Sequence, residues 1–97
     1  MPYDVRFPNS SLEKKFHKEL LKIPGQTQIK IIQDVESLAE NPRPFLFKKI
    51  KPPLELFQFV AQYRIRTGSY RVLYDIDDTQ RIVWIFALRK RDERTYK

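Results

Sequence analysis

Two runs of alternating residues that flank Thr67-Gly68-Ser69 constrain the fold more than any other part of the chain. Alternation with a period of two places successive side chains on opposite faces of a β-sheet. The runs therefore predict an antiparallel hairpin with an apolar, aromatic face and an arginine-bearing face. The apolar face is expected to contain Phe57, Phe59, Ala61, Tyr63 and Ile65 from the first run, and Tyr70, Val72, Tyr74 and Ile76 from the second. The opposite face is expected to contain Gln58, Val60, Gln62, Arg64 and Arg66, followed by Arg71, Leu73 and Asp75.

The arginine-bearing face has two interpretations. It is either the solvated side of a half-buried antiparallel sheet or a surface that binds a polyanion. The chain has 97 residues, with 19 Lys and Arg against 12 Asp and Glu, a net charge of +7 and a pI near 9.8. So basic a chain is a candidate for binding nucleic acid, an anionic surface or an acidic protein, although excess charge also serves solubility.

Two amphipathic helices are predicted before the hairpin. A short alternating segment, residues 3–7, predicts a first strand. A capping box that starts at Ser10 predicts a helix to about Ile23, and a second helix is expected over residues 26–40. The predicted stripes are Leu12, Phe16, Leu20 and Ile23 on the first helix, and Ile29, Ile32, Val35 and Leu38 on the second, with Ile31 and Ala39 beside it.

The remaining segments complete the predicted fold. Residues 43–53 are limited by prolines and indicate an irregular loop that carries Lys48, Lys49 and Lys51. Residues 81–88 are apolar on both faces and predict a central strand, which a basic tail follows. We therefore predict an α+β fold of order β-α-α-β-β-β over residues 1–97 as one domain. An antiparallel helical hairpin packs on one face of a mainly antiparallel four-stranded sheet.

Several classes of function are excluded or disfavoured by composition. The chain has no cysteine, which excludes disulfide scaffolds and thiol nucleophiles and fits a cytoplasmic protein. It has no apolar run of the roughly 20 residues that span a bilayer. No Gly-rich phosphate loop, zinc motif or Ser-His-Asp set is present, and no cofactor or metal is expected. His17, the only histidine, is predicted to be a surface residue.

The remaining Arg, Lys and Tyr side chains can still cleave RNA. The substrate supplies its own nucleophile, the 2′-hydroxyl, so the protein must align it, stabilise charge on the phosphate and assist proton transfer. Arginine grips phosphate oxygens in a bidentate manner. Tyr or Lys serves as a base where neighbouring positive charge lowers its pKa.

The hairpin resembles that of the RelE/ParE superfamily of bacterial toxins. The similar stretch reads Tyr63-Arg-Ile-Arg-Thr-Gly-Ser-Tyr-Arg-Val-Leu-Tyr-Asp-Ile-Asp77. Three other segments resemble the end of the family's second helix, its basic loop and its C-terminal ending: Leu38-Ala-Glu-Asn-Pro-Arg-Pro44, Lys48-Lys-Ile-Lys51 and Arg89-Lys-Arg-Asp-Glu-Arg-Thr-Tyr96. The resemblance implies a toxin of a type II toxin–antitoxin pair. RelE-like members cut mRNA in the ribosomal 30S A site without a metal.

The resemblance also implies site residues. The implied catalytic set is Arg66 and Arg71, which bind the scissile phosphate, Arg91, which stabilises charge or donates a proton, and Tyr96, which orients the substrate or acts as base. The implied RNA-binding set is Lys48, Lys49, Lys51, Arg64, Arg89 and Lys90. Many members have a histidine where this chain has Arg91, so histidine catalysis is not expected in the tail.

Two alternatives to a nuclease remain open at this point. One is a ParE-like toxin that binds DNA gyrase and cleaves nothing, because a shared fold does not settle function. The other is a degenerate member that only binds RNA or its antitoxin. In each case the expected partner is a cognate antitoxin, which forms a hetero-oligomer and covers the basic face with acidic side chains or by steric bulk.

Overall fold

A computed structural model of the protein describes residues 2–45, 47–56 and 58–90. The elements in these ranges are β1 (Asp4–Arg6), α1 (Ser10–Leu21), α2 (Gly25–Ser37), β2 (Lys48–Leu56), β3 (Phe59–Thr67), β4 (Tyr70–Asp77) and β5 (Ile82–Lys90). The sheet has the strand order β1-β5-β4-β3-β2. Strand β1 runs parallel to β5, and the other neighbouring strands are antiparallel. Neither helix in these ranges has the length and hydropathy needed to span a membrane.

The predicted α+β class and the helices on a mainly antiparallel sheet are confirmed, but the strand number is wrong. The sheet has five strands, because β2 occupies part of the segment that the prolines marked as an irregular loop. Proline is tolerated in an edge strand, where its missing N–H faces away from the sheet. Strand β2 is such an edge strand, and its pairing register with β3 shifts between Lys49 and Leu54, around Pro52 and Pro53.

The helices occur where predicted, with small differences at their ends. Asn9, rather than Ser10, caps α1, because its side-chain oxygen accepts a hydrogen bond from the Leu12 backbone N–H at 2.9 Å. Helix α1 ends at Leu21, and α2 ends at Ser37, where turns replace the predicted last residues of the second helix.

The helices pack on one face of the sheet and form the first core. The four residues of the predicted α1 stripe are all buried, which confirms that stripe: Phe16, Leu20 and Ile23 lie in this core, and Leu12 lies in the second core. The α2 stripe is rotated from its prediction: Ile31 and Leu38 are fully buried, whereas Ile29 is 59% exposed and Ile32 is 40% exposed. Residues 31, 35 and 38 follow the i, i+4, i+7 spacing of a single helical face, and that face meets the sheet.

The three hairpin tyrosines lie on the helix side of the sheet, as predicted. Tyr63, Tyr70 and Tyr74 all pack against the first core, and Tyr74 is fully buried. The alternation in β4 and in the paired half of β3 therefore places the tyrosines and the arginines on opposite faces.

A second core lies on the opposite face, under a two-stranded ribbon formed by residues 54–56 and 59–61. Phe59 stacks on Phe86 of β5 with ring centroids 5.4 Å apart, and Ala61 is fully buried beside Leu73. The predicted placement of Phe59 and Ala61 with the tyrosines is therefore wrong. Pairing of β3 with β4 begins only at Tyr63, so the earlier residues pair with β2 alone and bend over this face.

Candidate nucleic-acid interface

Three arginines stand side by side on the face opposite the helices. Arg66 of β3 is paired with Arg71 of β4, and Arg71 is paired with Arg89 of β5. Neighbouring strands lie about 4.8 Å apart, so this arginine row places three guanidinium stems within a narrow strip. The sequence predicted Arg66 and Arg71 on one face, but only the register of β5 brings Arg89 into line with them.

The arginine row combines buried and accessible positive charge. Arg71 in the middle is only 9% exposed, Arg89 is half-buried and Arg66 is exposed. Like charges on directly opposite residues of adjacent strands destabilise a sheet. The row therefore concentrates positive charge in a narrow strip of the sheet.

A second pair of cations lies one step along the same face. Lys48 of β2 is paired with Arg64 of β3, and Arg64 is paired with Leu73 of β4. Lys48 is exposed and Arg64 is half-buried. The structure therefore brings these two predicted RNA-binding residues together beside the arginine row.

The other predicted site residues are not on this face or lie outside the described ranges. Lys49 is paired with Tyr63 and Lys90 with Tyr70, so both belong to the helix side. Lys51 is exposed in the stretch where the register shifts. Arg91 and Tyr96 fall outside the residues that the structure describes.

The hairpin tip that carries Arg66 and Arg71 is fastened to α2. Thr67 is buried and donates a hydrogen bond from Oγ1 to Oδ2 of Asp34 at 2.7 Å. Lys30 forms an ion pair with the other oxygen of Asp34 at 2.6 Å. Gly68 follows with a φ of +60°, a conformation that glycine adopts without the steric cost of a Cβ. Sequence reasoning missed Asp34, although a carboxylate next to the predicted stripe residue Val35 was an available signal.

A group of polar side chains that we call the Asp78 cluster lies at the opposite end of the sheet. Arg43 donates two hydrogen bonds to the Asp78 carboxylate, at 3.2 Å to Oδ1 and 2.8 Å to Oδ2, and the Tyr3 hydroxyl donates to Oδ1 at 2.6 Å. The bonds from Arg43 and then Tyr3 lower the pKa of Asp78 to about 2. The same Asp78 bond raises the pKa of Tyr3. The cluster joins the chain start, the segment after α2 and the β4–β5 turn.

A buried hydrogen bond supports the same end of the sheet from inside. The Tyr74 hydroxyl donates to the backbone carbonyl of Pro42 at 2.7 Å, and burial raises the pKa of Tyr74. The Arg43 guanidinium lies 5.9 Å from the Tyr63 ring centroid, within cation–π range. The segment that leads into β2 is thus fixed to the tyrosine face.

An apolar groove of about 430 Å³ lies beside the arginine row. It runs between α1, the ribbon and the second half of β5, and Arg89 lines it as well as belonging to the row. Its other lining residues are Leu12, Lys15, Phe16, Lys18, Glu19, Lys22, Leu56, Phe86, Ala87 and Leu88. The basic lining complements an acidic amphipathic segment.

Comparison with protein families finds one match that spans most of the chain. A family model described as the ParE toxin of the type II toxin–antitoxin system parDE matches residues 11–95. Comparison with curated proteins finds no significant match.

Solved structures with the same fold include two toxin–antitoxin complexes. The chain is 27% identical to a chain of the RelBE2 complex from Mycobacterium tuberculosis, with a TM-score of 0.64, covering 94% of this chain and 100% of that one. It is 25% identical to a chain of the archaeal RelE–RelB complex from Pyrococcus horikoshii OT3, with a TM-score of 0.69 and coverage of 96% and 99%. A double arginine-to-alanine mutant of E. coli toxin RelE in the free state has the fold at 18% identity, with a TM-score of 0.57 and coverage of 98% and 90%.

Proposed function

This chain belongs to the ParE toxin family of type II toxin–antitoxin systems, within the RelE/ParE superfamily, and we propose that it is a metal-independent, ribosome-dependent mRNA endonuclease. The observation that carries this proposal is the arginine row of Arg66, Arg71 and Arg89 on the face opposite the first core. Three aligned guanidinium groups suit the oxygens of a phosphate whose negative charge grows during cleavage.

The proposed reaction uses the 2′-hydroxyl of the RNA as the nucleophile. Its oxygen attacks the adjacent phosphorus, the bond to the 5′-oxygen of the next nucleotide breaks, and a 2′,3′-cyclic phosphate forms. A base accepts the 2′-hydroxyl proton, and an acid supplies a proton to the departing 5′-oxygen. Arg66 and Arg71 bind the phosphate oxygens in this scheme. Preorganised donors of this kind commonly contribute about 10²–10³ in rate apiece.

Proton transfer is assigned to the C-terminal residues. Tyr96 orients the substrate or acts as base, and the basic group of Arg89, Lys90 and Arg91 stabilises charge or provides the acid. Tyr and Lys reach neutral-pH reactivity only where nearby positive charge lowers the pKa. The arginine row supplies positive charge through Arg89 on β5, the strand that precedes Arg91 and Tyr96 in the chain.

An antitoxin is the proposed protein partner. Two of the similar solved structures are toxin–antitoxin complexes at or above 25% identity. The basic face and the adjoining groove suit an acidic segment, which would compete with phosphate for Arg89. Folding of such a segment on binding would cover apolar and charged surface together.

Cleavage of mRNA on purified ribosomes tests the proposal. Wild type is expected to produce discrete cleavage products without an added cofactor. The Arg66→Ala variant is expected to cleave about 10²–10³-fold more slowly. Arg6→Ala is the matched control, because Arg6 is an exposed arginine on β1, away from the arginine row. Equal cleavage by Arg66→Ala and wild type would contradict the assignment.

The second candidate is a toxin that binds DNA gyrase and cleaves no RNA. The match to a ParE family model favours it, since the superfamily includes such members. The discriminating measurement is gyrase supercoiling activity beside mRNA integrity in induced cells. Inhibited gyrase with intact mRNA would establish this candidate in place of the nuclease.

A further inference from the structure

The face opposite the first core changes from basic to acidic along its length. One end carries the arginine row. At the other end, the register of β1, β5 and β4 brings together one arginine, one tryptophan and three aspartates: Arg6, Trp84, Asp4, Asp75 and Asp77. Arg6 already forms an ion pair with Asp4 at 2.9 Å. The other two aspartates leave an excess of negative charge here, although the whole chain has a net charge of +7.

A pocket of about 350 Å³ opens at this acidic end, beside the ribbon. Its aromatic lining consists of Phe59, Trp84 and Phe86, and Asp75 contributes a carboxylate. Phe59 and Phe86 are stacked on each other, whereas the half-buried Trp84 forms another part of the pocket wall. Because Asp75 and Trp84 are register partners on neighbouring strands, the pocket offers a carboxylate and an aromatic ring side by side.

The Asp75 carboxylate retains unused hydrogen-bonding capacity. Its Oδ1 accepts a hydrogen bond from the Ile76 backbone N–H at 2.9 Å, and the Gln62 side chain donates another to the carboxylate. A carboxylate accepts at about four positions. None of the ion pairs within the described residues involves Asp75. Burial, and then the nearby charge of Asp77, raise the pKa of Asp75, so a bound cation would stabilise its ionised form.

An arginine side chain combines the properties that this pocket complements. Its planar guanidinium stacks on an aromatic ring and donates two parallel hydrogen bonds to a carboxylate. Its methylene stem packs on apolar surface, which the pocket provides through Val60, 42% exposed, and the half-buried Pro8. The excess negative charge disfavours an RNA phosphate at this end, so a protein side chain is the better occupant.

We propose that the pocket between Trp84 and Asp75 is a docking site for an arginine side chain of a partner protein. The guanidinium lies against the Trp84 ring and donates to the Asp75 carboxylate. The proposal is independent of the nuclease, because neither residue belongs to the arginine row. A partner that placed acidic side chains on the arginine row and an arginine in this pocket would bind in one orientation only.

Titration of the full-length protein with N-acetyl-arginine methylamide tests the proposal. Trp84 is the only tryptophan, so its fluorescence reports on the pocket directly, and calorimetry provides a second readout. A saturable signal with a Kd in the millimolar range is expected. N-acetyl-citrulline methylamide, the neutral isostere, is expected to bind about 10–100-fold more weakly. N-acetyl-lysine methylamide is expected to bind about tenfold more weakly, because an ammonium makes neither the planar stack nor the paired hydrogen bonds.

Matched aspartate variants locate the site. Asp75→Asn is expected to weaken binding of the arginine probe about 10–100-fold. It keeps the side-chain size and an oxygen that accepts the Ile76 N–H, so the variant is expected to fold. Asp77→Asn removes the same charge two residues along the strand, where the register partner is Ile82 rather than Trp84. It is expected to change the affinity by no more than about fivefold.

Several results would overturn the proposal. Absence of saturation by the arginine probe in both readouts would do so, as would equal binding of the citrulline or lysine probe. Equal losses in Asp75→Asn and Asp77→Asn would mean that the general charge of this end attracts the probe. Tighter binding of free arginine than of the blocked amide would assign the pocket to a small molecule instead of a protein. Saturation by guanosine without binding of the arginine probe would assign it to a nucleobase.

Discussion

The two ends of the sheet use arginine in opposite ways. In the Asp78 cluster, Arg43 donates two hydrogen bonds to the Asp78 carboxylate, so the positive charge of Arg43 is balanced by a negative charge. In the arginine row, Arg71 stands in register between two further arginines. Complementary charge at the first end indicates a structural role, whereas the second end concentrates three arginines in one row, which we propose binds a phosphate. Substitutions at the two ends should therefore affect different properties.

Arg71→Ala should give the largest effect and should separate the two ends most clearly. Because Arg71 is the central member of the arginine row, we expect ribosome-dependent cleavage to fall about 10²–10³-fold. Arg43→Ala should instead lower the melting temperature and leave the cleavage rate of the folded protein unchanged. Single-turnover cleavage and thermal melts of both variants provide the measurement. A similar loss of cleavage in Arg71→Ala and Arg43→Ala would contradict the assignment of different roles to the two ends of the sheet.

Tyr74→Phe should destabilise the Asp78 end by about 1–3 kcal/mol. The substitution removes the hydroxyl that donates to the Pro42 carbonyl and leaves that carbonyl without its buried partner. Urea unfolding of wild type and variant measures the change. Tyr70→Phe is the matched control, since Tyr70 is a half-buried tyrosine of the same strand and face. An equal loss of stability in the control would show that the bond to Pro42 is not the cause.

Inorganic sulfate should stabilise the arginine end by binding the folded state. At a concentration ten times Kd the gain is about 1.4 kcal/mol, which raises the Tm of a domain this size by about 5–10 °C. The shift should shrink in Arg66→Ala and persist in Arg43→Ala. Thermal melts in sulfate, compared with chloride at equal ionic strength, provide the measurement. Equal shifts in both variants would show that sulfate acts generally on the protein surface.

Lowering the pH should weaken the Asp78 end within a defined range. The folded-state pKa of Asp78 is about 2, below its ordinary value of 3.8. Its contribution to stability is therefore fully present above about pH 4 and is lost as the pH falls toward 2. The stability difference between wild type and Asp78→Asn should stay constant above pH 4 and narrow below it. Because Asp78 is exposed, this effect should be the smallest of the four, and a constant difference down to pH 2 would contradict it.

The sequence predicts the tyrosine and arginine faces correctly where β3 is paired with β4. From Tyr63 onward, β3 pairs with β4 without a register shift, so successive side chains alternate between the two faces of the sheet. A regular ladder of this kind is all that a period-two prediction of the faces requires. The same reasoning fails at Phe59 and Ala61, because these residues pair with β2 alone. The sequence does not show that the pairing of β3 with β4 stops at Tyr63.

The candidate site was predictable as a set of residues but not as an arrangement. Lys48 and Lys49 are consecutive lysines that the sequence alone does not distinguish. Their pairing with Arg64 and Tyr63, respectively, places them on opposite faces of the sheet. A shift of one residue in register would exchange them. Strand β2 itself was missed because Pro52 and Pro53 indicate a loop locally, and only its position at the sheet edge makes them acceptable.

The parallel pairing of β1 with β5 has a consequence for the order of folding. Asp4 is paired with Ile82, so β1 can join the sheet only after β5 has been synthesised. Contacts between such distant parts of a chain slow folding, and synthesis proceeds from the N-terminus. Because β5 also carries Arg89, a nascent chain completes its sheet and its arginine row at the same late stage. A chain that has been synthesised only as far as β4 therefore lacks the assembled face.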